Sequence, residues 1–401
     1  MRAINNLKDK AFYLVLFTLP MFTKLNNLFL ALFLILFVLE GGFKNKWDNL
    51  KKHYKLFIPL ACLFLLALIA SLNHPSRSVF KYLEMYWSFL TIPIAIISSN
   101  NFDGEVGKKP YLALVLGCIA TLLLCYGNVV YEMIAWKEPL HYFLRHRHLN
   151  HEFTEIADTH PTYLGVFITC ATAYLLLETS IKKWVKIAII VFFALGLIQL
   201  ASRVAIAGFG IVLLYFLSLK FKKYWKQILI SFGMAALFGS MLYVFSSEFL
   251  RERLTNNETI ENDERFSRNI VSWEIFKEYP VLGVGFGRKH EARKAKYKDY
   301  GFDVAFQNNY NAHNQFLEYL SVNGIIGGII FICIVIYLLI TSWKLRDKFF
   351  FLLFLTFFLA NFTESMLVRI KGIEFFAISV SLLATTCLKL EKNEDSYYPG
   401  L

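Results

Sequence analysis

Three residues with the chemistry to act on phosphate and sugar stand in order along the chain. Arg203 lies in LIQLASRVAIAG, Arg268 in DERFSRNIVSWEIFKEYPVLGVGFG, and His313 in YNAHNQFLEYLSVNGIIGG. A guanidinium grips phosphate oxygens through paired hydrogen bonds. An imidazole, which ordinarily titrates near pH ~6.5, can take a proton from a sugar hydroxyl at neutral pH. Two guanidinium groups and one base suit displacement of a diphosphate leaving group. Each residue also has a plainer reading. Arg203 can be an interfacial anchor that snorkels to the surface, and His313 can be a helix cap. Arg265, three residues before Arg268, reads as part of a solvated helix face with ordinary Arg–Glu pairs. His160, just before Pro161, reads equally as a helix-start residue and as a site residue.

The elements that must position these groups are apolar. The 401 residues are 56% hydrophobic and hold 40 Phe against 9 Pro, the profile of a membrane protein. A helix needs roughly 20 apolar residues to cross a bilayer, and about twelve runs approach that length. They cover 11–24, 26–41, 56–73, 79–98, 111–133, 161–179, 184–201, 204–219, 227–246, 315–341, 348–366 and 372–388. The runs are continuous rather than alternating, so the expected fold class is an all-α polytopic membrane protein. The expected organisation is nine spans over 1–246, interrupted by a loop at 134–160. A large loop with short helices follows at 247–314, then three spans over 315–388 and a tail at 389–401.

The net charge of +12 is a topology signal and not a nucleic-acid footprint. Basic residues gather in alternate short loops: Lys44, Lys46, Lys51, Lys52 and Lys55, then Lys108 and Lys109, then Lys182, Lys183 and Lys186. The series continues with Lys220, Lys222, Lys223 and Lys226, and ends with Lys344, Arg346 and Lys348. By the positive-inside rule both termini lie in the cytoplasm, and the long segments 134–160 and 247–314 face outward. Arg203, Arg268 and His313 then share the outward side, as do Glu318 and Glu364, the acids chosen by location as further site candidates. A transporter would keep its polar sites near the bilayer midplane.

Other motifs carry less. Phe266, Ile270, Trp273 and Phe276 recur at helical spacing and predict the apolar stripe of an amphipathic helix. Gly283, Gly285 and Gly287 lack the GK[ST] ending and the βαβ setting of a nucleotide loop, so they predict a tight turn after Pro280. His141, His146, His148 and His151 have no acidic or cysteine partner at a zinc spacing, so no metal site is expected. The six cysteines all fall in apolar runs and read as small buried hydrophobes.

Taken in order, ASR in a span hairpin, SRNIVSWEIFKEYPVLGVGFG and AHNQFLEYLSVNGIIGG resemble the O-antigen ligase and polymerase superfamily of bacterial inner membranes. The resemblance covers the C-terminal half by motif and the whole chain by its spans and long outward loop. It implies a cofactor-free, metal-independent glycosyltransferase with its site on the periplasmic face. Such an enzyme moves a glycan from an undecaprenyl diphosphate donor to a lipid A-core hydroxyl, with inversion. By matching position, Arg203 and Arg268 hold the diphosphate and His313 activates the acceptor. Arg265, His160, Asn314, Glu318 and Glu364 are further candidates. The motifs do not separate a ligase from a repeat-unit polymerase with a glycan acceptor, and a non-catalytic lipid-glycan transporter is a third reading. Membrane lipids, but no nucleic acid, are the other expected partners.

Overall fold

The computed structural model describes residues 2–75, 79–99, 108–220, 264–308 and 310–397. Helices and the turns between them account for these residues, with no strand among them. Among the described residues six helices are long and apolar enough to cross a membrane: Tyr54–Asn73, Tyr111–Ala135, Pro161–Glu178, Lys183–Leu200, Arg203–Lys220 and Gln315–Lys344. Thr23–Leu39 and Phe43–Lys52, bent by 111°, would together make a seventh. The bend falls at Gly41 and Gly42, both with positive φ, a backbone state that glycine adopts without steric cost. The chain is thus a multi-pass membrane protein by length and composition.

Several expected spans are divided or shortened. The run 79–98 forms two helices, Val79–Tyr86 and Ser88–Ile97. The run 348–366 forms Lys348–Ala360, too short to cross a bilayer unaided, and a separate 3-10 turn follows at Met366–Val368. The run 227–246 and the first part of the large loop lie outside the described residues.

The chain divides into two compact units: Met1–Val15, Asn27–Pro110 and Glu258–Leu401 form one, and Leu16–Asn26 with Tyr111–Asn257 the other. In the second unit Pro161–Glu178 is the central helix, packed against Tyr111–Ala135, Lys183–Leu200 and Arg203–Lys220. Small residues let these backbones approach: a Cβ on Gly165 would strike Ala205, and one on Gly196 would strike Leu122. Thr169 and Thr172 donate to carbonyls one turn back, so their hydroxyls are satisfied inside the apolar core.

In the first unit Ser88–Ile97 packs along Ile370–Tyr397, and Gln315–Lys344 along Lys348–Ala360. Helix Gln315–Lys344 breaks at Gly324, where φ is 66°. Ile325 donates to the Pro280 carbonyl and Val284 to that of Ser321, so the turn 280–284 is docked into the break. Beyond it Ile325, Ile329, Ile332, Ile336 and Ile340 are all exposed. Their spacing of four, three, four and four makes one apolar stripe, the surface a lipid-facing helix presents. Above the break, Glu264–Glu278 packs on Gln315–Lys344, and Gly285–Asp299 packs on Tyr54–Asn73. These two loop helices position the candidate site.

Candidate active site

Arg268 reaches the site because the buried face of Glu264–Glu278 differs from the predicted stripe. Arg268, Val271, Ser272 and Ile275 are buried, whereas Trp273 is 46% exposed and Ile270 and Phe276 are half-buried. The apolar periodicity misled because the inward face is polar at its start, where an arginine occupies a core position. The Arg268 guanidinium lies 3.6 Å from the centroid of the Tyr310 ring, a cation–π contact that holds it flat. Tyr297 ties down the backbone of the same residue by donating its hydroxyl to the Tyr310 main-chain carbonyl at 3.3 Å.

His313 packs perpendicular to the same ring, its centroid 6.2 Å from that of Tyr310 at 89°. Its Nδ1 is 3.3 Å from Oε2 of Glu364, a carboxylate that is almost wholly buried while the imidazole keeps partial exposure. His313 is not the helix cap. Asn314 is, its side-chain oxygen accepting from the backbone N–H groups of Phe316 and Leu317. His313 instead adopts φ 46°, a left-handed state costing a non-glycine residue on the order of 1 kcal/mol.

Hydrogen bonds on both sides hold this turn. The His313 N–H donates to Oδ1 of Asn311, the Gln315 N–H to the Asn361 carbonyl, and the Leu367 N–H to Oε1 of Gln315. Glu318 completes the set. Its Oε2 accepts from Nη2 of Arg293 at 2.7 Å and from the Ala312 N–H at 3.2 Å.

Arg293 and Lys289 are the cations that sequence reasoning passed over as loop charge. On Gly285–Asp299 the buried residues Phe286, Lys289, Arg293 and Tyr297 recur at three, four and four, so they share one face. That spacing was the available signal, hidden by treating lysine and arginine as solvent-facing. The Lys289 ammonium sits 3.8 Å over the Tyr82 ring and 5.0 Å from that of Phe286. Burial pushes its amine down to about 8; Glu318 opposes the shift and Arg293 adds to it. Burial raises the Tyr297 phenol, with Arg293 and Arg268 pulling the other way and Glu318 adding to the rise.

The remaining candidates have their own local settings, His160 and Arg203 in the second unit. His160 caps Pro161–Glu178, its Nδ1 accepting from the Thr162 N–H at 3.3 Å, and its ring meets that of His151. The helix-start reading therefore accounts for it. Arg203 is exposed as the first residue of its helix, following Ala201 at φ 48°. Arg265 lies in Glu264–Glu278 by its backbone. In the histidine-rich loop His148 is buried and sits 3.0 Å from Glu138, while Arg147 pairs with Glu132. That loop is braced internally by charge pairs.

An arginine stacked on Tyr310, an imidazole paired with the Glu364 carboxylate, and the hydrogen-bonded turn between them come together in one unit. Residues 188–332, less than half of the chain, match the family model described as O-antigen ligase. The match supports the O-antigen ligase superfamily. The segment takes in Arg203, Arg268, His313, Asn314 and Glu318, and Glu364 lies beyond it. No curated protein matches the chain. The match suggests O-antigen ligase or polymerase-type activity, which acts on a lipid-linked glycan and a glycan acceptor in the membrane.

Proposed function

We propose that the protein is an O-antigen ligase-type glycosyltransferase of the bacterial inner membrane. It transfers a glycan from undecaprenyl diphosphate to a lipid A-core hydroxyl on the periplasmic face, with both termini in the cytoplasm. The observation that carries this reading is the His313–Glu364 pair set against the Arg268–Tyr310 stack in one unit. His313 takes the proton of the acceptor hydroxyl. The acceptor oxygen forms its bond to the anomeric carbon as the bond from that carbon to the diphosphate oxygen breaks. The electron pair leaves with the diphosphate, whose growing charge Arg268 neutralises. Glu364 orients the imidazole and stabilises the imidazolium that results. A single displacement of this kind inverts the anomeric centre.

Arg203 is proposed as a second diphosphate ligand on its own position, an exposed guanidinium where the alternating basic pattern calls for none. The guanidinium groups do here what a divalent cation does in many sugar-nucleotide enzymes.

Purified protein in lipid nanodiscs, offered a synthetic lipid diphosphate glycan together with core oligosaccharide and free repeat-unit acceptors, tests the proposal. Transfer to core with inverted configuration supports the ligase. Preferential extension of the glycan identifies a polymerase, and transfer to neither acceptor overturns the glycosyltransferase reading.

A further inference from the structure

We propose that Arg293 and Glu318 are positioning residues that set the backbone of His313; the inference rests on His313 acting as the base. The Arg293 side chain is only 1% exposed and Glu318 is nearly as buried, and their 2.7 Å ion pair joins the loop helix Gly285–Asp299 to the start of Gln315–Lys344. A buried pair of this kind is weak evidence for a stabilising role, since apolar residues of similar volume often serve stability as well. What distinguishes this one is the second use of the same carboxylate oxygen. Oε2 of Glu318 also accepts the N–H of Ala312, the fully buried residue immediately before His313.

His313 needs that help. Its left-handed φ of 46° is disfavoured for a residue with a Cβ, so neighbouring contacts help to hold it. With the Ala312 amide tied to Glu318 on one side and Asn314 capping the helix on the other, the chain turns so that Nδ1 meets Glu364. Arg293 keeps the Glu318 carboxylate from swinging away, and the Lys289 ammonium adds a second positive charge nearby. The line of control runs from Arg293 to Glu318, to the Ala312 amide, and so to the imidazole. Neither Arg293 nor Glu318 touches substrate in this scheme.

The test separates the acceptor oxygen from the ion pair. In Arg293→Met/Glu318→Gln both charges go, but an oxygen remains for the Ala312 amide. In Arg293→Met/Glu318→Leu the oxygen goes as well. Purified in nanodiscs, the Met/Gln protein should turn over within about tenfold of wild type. The Met/Leu protein should lose about 100-fold in kcat, with the donor KM changed less than threefold. Equal kcat in the two would overturn the inference.

If the Met/Leu protein does not fold, Glu318→Asp decides. It keeps the charge but is one methylene too short to reach both partners, so kcat should fall about tenfold, and wild-type kcat would overturn the proposal. His313→Ala is measured alongside. Wild-type turnover there removes the base itself, whereas an inactive His313→Ala beside a fully active Met/Leu protein removes only the positioning role.

Discussion

Glu364 holds Oε2 3.3 Å from Nδ1 of His313, which leaves Nε2 as the ring nitrogen to accept a proton in the tautomer this pairing favours. The carboxylate is itself fixed, because the Ser365 N–H donates to its other oxygen. Glu364→Gln keeps the shape but not the charge that stabilises an imidazolium. Its kcat should fall about 10- to 1000-fold with little change in donor KM. Steady-state transfer kinetics check this; an unchanged kcat would remove Glu364 from the account.

Tyr310 touches both candidate groups, with Arg268 over its ring and His313 perpendicular to it. Tyr310→Phe keeps the ring and should keep turnover. Tyr310→Ala frees the guanidinium, and a cation–π contact of about 1–2 kcal/mol converts to a donor KM raised roughly tenfold. Titration with the lipid diphosphate donor measures the shift. Arg268→Lys, which retains charge but not the paired hydrogen bonds, should be impaired nearly as much as Arg268→Ala.

The site was partly legible in the sequence and partly hidden. Arg268 and His313 stood out by type and order, and Glu364 by its place near a span end. Tyr310 and Arg293 did not, because the first looks like any loop aromatic and the second like any loop charge. The Glu264–Glu278 helix was expected, but of its predicted apolar stripe Trp273 is exposed and Ile270 and Phe276 are only half-buried, because apolar spacing cannot reveal that a guanidinium fills a core position. Six of the twelve expected runs match helices long and apolar enough to cross a membrane to within a few residues, among the described residues. Of the others, 79–98 divides at Trp87, which carries no turn signal, whereas 348–366 ends at the polar residues Asn361, Thr363, Glu364 and Ser365, which an averaged apolar window runs past. Lys8 was likewise invisible: it is fully buried, bonded to Glu40 and Ser99, in a helix that begins at Arg2 where the apolar run begins at 11.

Lys289 makes stability depend on pH. Its folded pKa of about 8 lies below the ordinary 10.5, so between those values the unfolded chain holds a proton the folded chain lacks. Stability therefore rises with pH from about 8 to about 10.5, and the cost of charging the buried amine is fully present below about 8. Lys289→Met should unfold at higher temperature at pH 7, with a gain of at most about 3 kcal/mol. The gain should shrink as pH rises towards 10, and nanodisc melting curves at several pH values follow it. A variant less stable at pH 7 would contradict the sign.

Gly324 carries the break into which the loop is docked. A Cβ there would strike the Val281 carbonyl and the Gly283 amide nitrogen, and φ of 66° is unfavourable for alanine. Gly324→Ala should lower stability by about 2 kcal/mol or more and weaken both transfer and donor binding, since the turn 280–284 leads directly from the helix bearing Arg268. Thermal unfolding checks the first part, and an unchanged midpoint would show that the docking is not tight.

Diphosphate recognition by guanidinium groups also predicts that turnover persists in excess EDTA. Loss of activity on chelation, restored by a divalent cation, would give the leaving group to a metal and not to Arg268.

The most direct test of His313 as base and Arg268 as diphosphate ligand is single-turnover transfer by purified His313→Ala and Arg268→Ala, each confirmed to be folded and membrane-inserted. Both should fall at least 1000-fold below wild type, His313→Ala while still binding donor and Arg268→Ala with weakened donor binding. Wild-type turnover by either folded variant would contradict the account.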